Sequence, residues 1–161
     1  MHLTVEAARP EHAAEVSRLL RDYLTLTEQE KTDRGLAPGG PLPQRYQNEV
    51  EHPETLLPDC LLACADDRVL GLVVLKEQGD QVEIKRLWVD PAARGTGAGR
   101  ALVRAAVDRA GARPVTLTVW DWRAAPIGLY RSLGFTDTQS WDERPHLLCL
   151  TLPADAGQSS R

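Results

Sequence analysis

A chain of 161 residues has room for one ordinary hydrophobic core and is short for two. With 42% hydrophobic residues, 26% charged residues and a formal charge of −4, its composition excludes a disordered or fibrous chain and a strongly basic nucleic-acid binder. No apolar run approaches the roughly 20 residues that span a bilayer, and the opening MHLTVEAARPEH lacks the basic-then-apolar order of a secretory leader, so a cytoplasmic protein without membrane contact is expected.

The expected organisation is one domain over residues 1–153 with a disordered tail at 154–161. Residues 2–7 alternate weakly and read as a short strand. A helix follows at 11–23, entered at Pro10, with Ala13, Val16, Leu19, Leu20 and Tyr23 at helical spacing. Residues 27–43 (TEQEKTDRGLAPGGPLP) are polar and rich in glycine and proline and read as a loop, before a second short helix near 44–50. Segments 60–65 (CLLACA) and 69–76 (VLGLVVLK) form a hairpin about Asp66-Asp67-Arg68, and a turn at Gln78-Gly79-Asp80 leads into a third antiparallel strand at 81–89. The three cysteines, Cys60, Cys64 and Cys149, are odd in number and two fall in a strand-like run, so buried thiols are expected and not a disulfide framework. His2, His12, His52 and His146 are scattered without metal-ligand spacing, and no metal is expected.

The third strand slips phase. Val82 and Ile84 place the apolar face on even positions, whereas Leu87 and Val89 place it on odd ones. A one-residue bulge near Lys85-Arg86 produces this shift and bends the strand from its neighbour. Because Trp88 is apolar too, an unbulged strand buried on both faces near its end is the other reading.

After Asp90-Pro91 comes ARGTGAGRAL, then a helix over 99–110 whose Val103, Ala106, Val107 and Ala110 form one stripe, ended by Gly111. Residues 114–120 alternate cleanly as a strand, 124–133 read as a helix with Pro126 in its first turn and Gly134 beyond its end, Phe135 opens another strand-like piece, and 145–152 form a last strand. Glycines this dense at a helix entrance let unpaired amides face outward, where the positive end of the helix dipole attracts anions. Residues 85–104 hold five basic side chains (Lys85, Arg86, Arg94, Arg100, Arg104) against Asp90 alone, a local excess that favours a small polyanion. A Walker phosphate loop fails, since counting five on from Gly95 lands on Arg100 where its second glycine belongs, and no lysine is near. A dinucleotide fingerprint fails as well, since Arg100 replaces the third glycine and the preceding element is an antiparallel hairpin.

EIKRLWVDP, ARGTGAGRAL, a strand and then IGLYRSLGF together resemble the GNAT superfamily of N-acetyltransferases, strongly over residues 60–136, with Arg94, Gly97 and Gly99 on its R/Q-x-x-G-x-G/A pattern. The resemblance implies an α/β (α+β) fold: a mixed, mostly antiparallel sheet of six to seven strands flanked by helices, its bulged fourth strand splayed from the fifth. It implies acetyl-CoA as co-substrate, with the pantetheine arm against the backbone of Leu87, Trp88 and Val89. The pyrophosphate would rest on the amides of Arg94, Gly95, Thr96, Gly97, Ala98, Gly99 and Arg100.

An alkyl amine with a pKa of about 10.4 must lose a proton at neutral pH, an obstacle of about 4.6 kcal/mol. Glu83 resembles the family's base, although a solvated strand residue is equally consistent, and an amide freed by the bulge, that of Trp88 or its neighbour, would hold the oxyanion. Tyr130 resembles the family's general acid, although it also shares a helical stripe with Pro126, Leu129 and Leu133. Many relatives carry asparagine where Arg123 stands; the arginine would instead meet a phosphate.

The implied function is acetyl transfer to a small primary amine in a ternary complex, without nucleic acid or membrane partners; a homodimer is compatible with it. Trp88, Trp120, Trp122 and Trp141 suit an aromatic acceptor or ordinary packing, the acidic remainder favours a cationic amine, and the loop at 27–43 would cover it. A non-catalytic acyl-CoA-binding module and a dinucleotide binder are the competing readings.

Overall fold

A computed structural model describes residues 1–154, and the tail expected at 154–161 lies, from Asp155 onward, outside the described residues. Seven strands form one sheet: β1 (Thr4–Ala7), β2 (Cys60–Ala65), β3 (Arg68–Glu77), β4 (Val82–Val89), β5 (Val115–Trp120), β6 (Thr136–Asp137) and β7 (Leu147–Leu152). They lie in the order β1-β2-β3-β4-β5-β7-β6, and every pairing is antiparallel except β4 with β5. This is the mixed, mostly antiparallel architecture expected from the sequence.

Four helices cover the two faces. The core beneath α3 (Ala98–Ala110) and α4 (Ala124–Ser132) gathers Leu61, Val73, Val82, Ile84, Leu102, Val103, Leu117 and Phe135. The core beneath α1 (Ala13–Asp33) and α2 (Gln44–Glu51) gathers Val16, Leu19, Leu20, Leu24, Leu62, Leu72 and Trp88. The three cysteines are free, and burial raises the Cys60 thiol to a pKa of about 12. No helix among the described residues is long and apolar enough to cross a membrane.

One expectation fails. Residues 27–33 are not part of a loop; they are the last turns of α1, which runs to Asp33 and leaves only residues 34–43 as the connection to α2. The segment is polar because of what it faces. Lys31 pairs with Glu28 at 2.7 Å, the Gln29 amide donates to Asp33 at 2.8 Å, and Glu30 receives bonds from the β5–α4 connection. Such neighbours at helical spacing support a helix without an apolar stripe.

The phase slip in β4 is a bulge. Val74 of β3 stands opposite Arg86 and Leu75 opposite Ile84, so Lys85 has no partner and is the extra residue. The slip returns Leu87 and Val89 to the face already occupied by Val82 and Ile84, where all four pack on the α3 side. β4 pairs with β5 only through Val82, Glu83 and Ile84, whereas β5 continues to pair with β7 as far as Trp120. Past the bulge the two strands separate.

Candidate active site

The same one-residue shift turns the main chain. The Val82 amide donates across to Pro114 at 3.0 Å, toward β5, whereas the Asp90 amide donates to Leu70 of β3 at 2.8 Å. Since alternate residues of a strand point their amides to opposite sides, Arg86 and Trp88 bond toward β3, while Leu87 and Val89 turn theirs into the gap that β5 has left. Of the amides anticipated as the oxyanion donor, Trp88 or its neighbour, that of Trp88 faces β3, and those of its neighbours Leu87 and Val89 face the gap.

Beyond β4, Asp90 caps the turn by accepting from the Ala92 amide at 3.1 Å and ties it to α1 through Arg18 at 3.1 Å; these two bonds hold its carboxyl below the usual range. Gly95 and Gly97 take left-handed backbone, with φ of 81° and 89°, and open space lies where a β-carbon would be. The first amide of α3 bonded within the chain is that of Ala101, to the Gly97 carbonyl at 3.0 Å. Those of residues 95–100 have no acceptor among the described residues and form a row of donors at a helix entrance. The Thr96 hydroxyl donates back to the Ala93 carbonyl at 2.6 Å and holds the turn. Gly99 has a different reason to be glycine. A β-carbon there would come within 3.3 Å of Leu129 and 3.7 Å of Val89, so the missing side chain seats α3 against β4 and α4.

These parts line a cleft of about 540 Å³. Leu87, Trp88, Val89, Arg94, Gly95, Gly97, Ala98, Gly99, Arg100 and Arg123 all lie in its wall; of the expected coenzyme residues only Thr96 does not. Leu26 and Glu30 of α1, and Trp122, Ala124, Ala125 and Leu129 about the start of α4, complete it. A strand edge with free amides leading to a nest of unpaired N–H groups, with Arg94 and Arg100 beside it, fits an extended amide-bearing arm that ends in a diphosphate. Arg123 is already engaged: its guanidinium donates to Glu30 at 2.9 Å, and the Trp122 indole donates to the same oxygen at 3.1 Å.

On the other side of Leu87 lies a smaller cavity of about 110 Å³. Its wall comes from Tyr23, Thr27 and Lys31 of α1, Tyr46 of α2, Lys85 and Arg86 at the bulge, Thr118 and Trp120 of β5, Tyr130 of α4, and Arg144. Leu87, Arg123 and Pro126 belong to both walls, so the two spaces share a border. Tyr130 is 5% exposed, tilted against Phe135 at 5.6 Å, and its phenol has no hydrogen-bond partner among the described residues. Burial, reinforced by Tyr23 and opposed by Arg123, pushes that phenol well above the ordinary tyrosine range, so it stays protonated.

Glu83 stands apart. Opposite Thr116, it shares the α1 side of the sheet with Thr118, yet it lines a neighbouring hollow of about 520 Å³ together with Gln78, Gln81 and Trp141, and accepts from the Gln78 amide at 3.3 Å. The tryptophans divide likewise. Trp88 and Trp122 line the cleft, Trp120 lines the cavity and stacks on Trp122 at 5.0 Å, and Trp141 is 51% exposed beside Glu83. Sequence reasoning missed Thr27, Lys31, Tyr46 and Arg144. A trace existed for two of them, since Thr27 and Lys31 continue from Tyr23 at steps of four.

Comparison with known proteins gives one consistent result. A curated protein, the IAA acetyltransferase of Azospirillum brasilense, is 36% identical over 70 residues, covering 42% of this chain and 46% of that protein; the match spans less than half of either. Among solved structures, an N-acetyltransferase from Staphylococcus aureus Mu50 superposes with a TM-score of 0.71 at 15% identity, over 92% of this chain and 99% of its own. The PaiA N-acetyltransferase of Thermoplasma acidophilum, crystallised in complex with coenzyme A, does so with a TM-score of 0.67 at 18% identity, over 95% of this chain and 99% of its own. At such identities these likenesses show a shared fold. Residues 16–135 match the profile of the Acetyltransferase (GNAT) family, a span that takes in the bulged strand, the glycine turn and Tyr130 together, and on that match the chain belongs to this family of acyltransferases, whose co-substrate is acetyl-CoA.

Proposed function

We propose that the chain transfers an acetyl group from acetyl-CoA to the primary amine of a small molecule by direct attack in a ternary complex. The observation that carries this reading is the border between the two spaces: a main-chain cleft suited to the coenzyme meets a side-chain cavity at Leu87, and a buried, unpaired phenol stands in that cavity. Bound acetyl-CoA supplies an activated acetyl thioester. In the transfer the carbon–nitrogen bond forms as the carbon–sulfur bond breaks, the amine gives up one proton and the sulfur takes one.

Each event has a residue suited to it. The Leu87 amide, facing the gap, donates to the carbonyl oxygen as negative charge grows there. Tyr130 holds its proton through neutral pH and gives it to the departing sulfur. Glu83 lies on the acceptor side of β4 but outside the cavity wall, and it accepts the amine's proton through intervening solvent. The names of the similar proteins, acetyltransferases in each case, support the same reading.

The test is release of free thiol from acetyl-CoA across a panel of amines, with binding of coenzyme A followed in parallel by thermal shift. Turnover of at least one amine is expected. Coenzyme binding without thiol release for any amine would make the chain an acyl-CoA-binding module, and stabilisation by NAD but not by coenzyme A would remove the donor site altogether.

A further inference from the structure

We infer that the acceptor is an amine that also carries an acid group, a small amino-acid-like carboxylate held by the cations of the cavity wall; this rests on the transferase reading above. Every ionisable side chain in that wall other than its tyrosines is cationic: Lys31, Lys85, Arg86, Arg123 and Arg144, with no aspartate or glutamate among them. Four of the five have a carboxylate partner, and each partner stands outside the wall. Glu28 holds Lys31 at 2.7 Å, Glu49 holds Arg86 at 3.0 Å, Glu30 holds Arg123 at 2.9 Å and Asp142 holds Arg144 at 2.8 Å. The partners fix the cations from outside, and a guanidinium held on one side still has donors to offer on another.

Two further observations point to a ligand oxygen. Arg86 spends one nitrogen on Glu49 and one on the Lys85 carbonyl at 3.0 Å, and its Nε is a buried donor without a partner; the Glu49 oxygen outside the pair is an unpartnered acceptor and adds nothing to this count. The Thr27 hydroxyl, in the same wall, is also buried and unpartnered. Buried donors left without acceptors are costly, and a carboxylate in the cavity supplies several acceptors at once. Lys85, pushed out by the bulge, has no acidic partner among the described residues and adds charge at the mouth.

The same wall bears on the nucleophile. Nearby positive charge disfavours the protonated form of an amine, so cations that attract the acid group also ease the loss of the amine's proton. A polyamine meets like charge with nothing in the wall to offset it. The acidic balance of the whole chain suggests a cationic acceptor, but the acidic groups are not in the cavity wall.

Matched acceptors test this: phenylalanine, glutamate and lysine, each against its amide and its decarboxylated amine, by kcat/KM for thiol release from acetyl-CoA. In a second arm, calorimetry compares N-acetylphenylalanine with its amide, which needs no turnover. The acids are expected to exceed their partners at least tenfold in both arms. Arg144→Gln and Lys85→Gln, both near the surface, should shrink that preference several-fold with the coenzyme KM unchanged; Arg86→Lys should do so more strongly. Turnover with equal or reversed preference overturns the inference and leaves the transferase reading standing. Preferential binding of the acid without turnover of any amine supports the anion site and removes the transferase reading. No preference in either arm, or variants that keep the full preference, also overturns the inference.

Discussion

The two spaces that meet at Leu87 are built in different ways. The proposed coenzyme cleft is made largely of main chain: a strand edge, then a turn whose amides have no partner among the described residues, with small residues where the backbone lies bare. The proposed acceptor cavity is made of side chains from two helices on one face, three strands, α4 with the turn before it, and the β6–β7 connection. A group recognised by backbone needs a short contiguous segment with a defined conformation. A group recognised by side chains needs the tertiary structure complete, because no two neighbouring elements suffice.

One deletion and three substitutions sharpen that contrast, beginning with the most damaging. Deletion of Lys85 leaves Ile84 and Arg86 facing Leu75 and Val74 in unbroken register, so the sheet should form while the wedge closes. Coenzyme binding should be lost with the circular dichroism retained; binding within twofold of wild type would show that the gap does not depend on the bulge. Tyr130→Phe removes the proton donor and should lower kcat by about 10²-fold or more with coenzyme affinity unchanged. Because burial raises the Tyr130 pKa, the proton-donating form persists to higher pH, and this group should impose no fall in kcat up to about pH 10, where an ordinary tyrosine ionises. A falling limb there that vanishes in the Phe variant would contradict the burial argument.

Smaller effects follow at the edges of the two spaces. Glu83→Gln should lower kcat about tenfold, as expected of a base acting through solvent. An unchanged kcat would reduce Glu83 to a strand residue held by Gln78. Arg100→Ala should raise the coenzyme KM about tenfold with little change in kcat, since the loss of one charged hydrogen bond amounts to roughly 1.5 kcal/mol or more. An equal loss with a coenzyme fragment lacking the phosphates would place Arg100 elsewhere.

How much was legible in the sequence follows the same division. The slip between Val82, Ile84 and Leu87, Val89 records the bulge directly, because side chains alternate strictly along a strand. The turn at residues 94–100 is legible because the left-handed backbone of Gly95 and Gly97 strongly favours glycine. Residues 27–33 were misread because helical periodicity is usually sought in apolar residues, and here Thr27 and Lys31 face a polar cavity. Arg144 and Tyr46 are far apart in the chain from β5 and from each other, and nothing local marks them as parts of one wall.

The stretch from Arg86 to Val89 carries two separate kinds of information. On the reading proposed above, its edge meets the acyl donor through atoms that every amino acid possesses, while Arg86 lines the cavity for the nucleophile. Exchange of that side chain should then retune the choice of acceptor without disturbing the grip on the donor, so a single strand would keep one partner constant while its other partner changes.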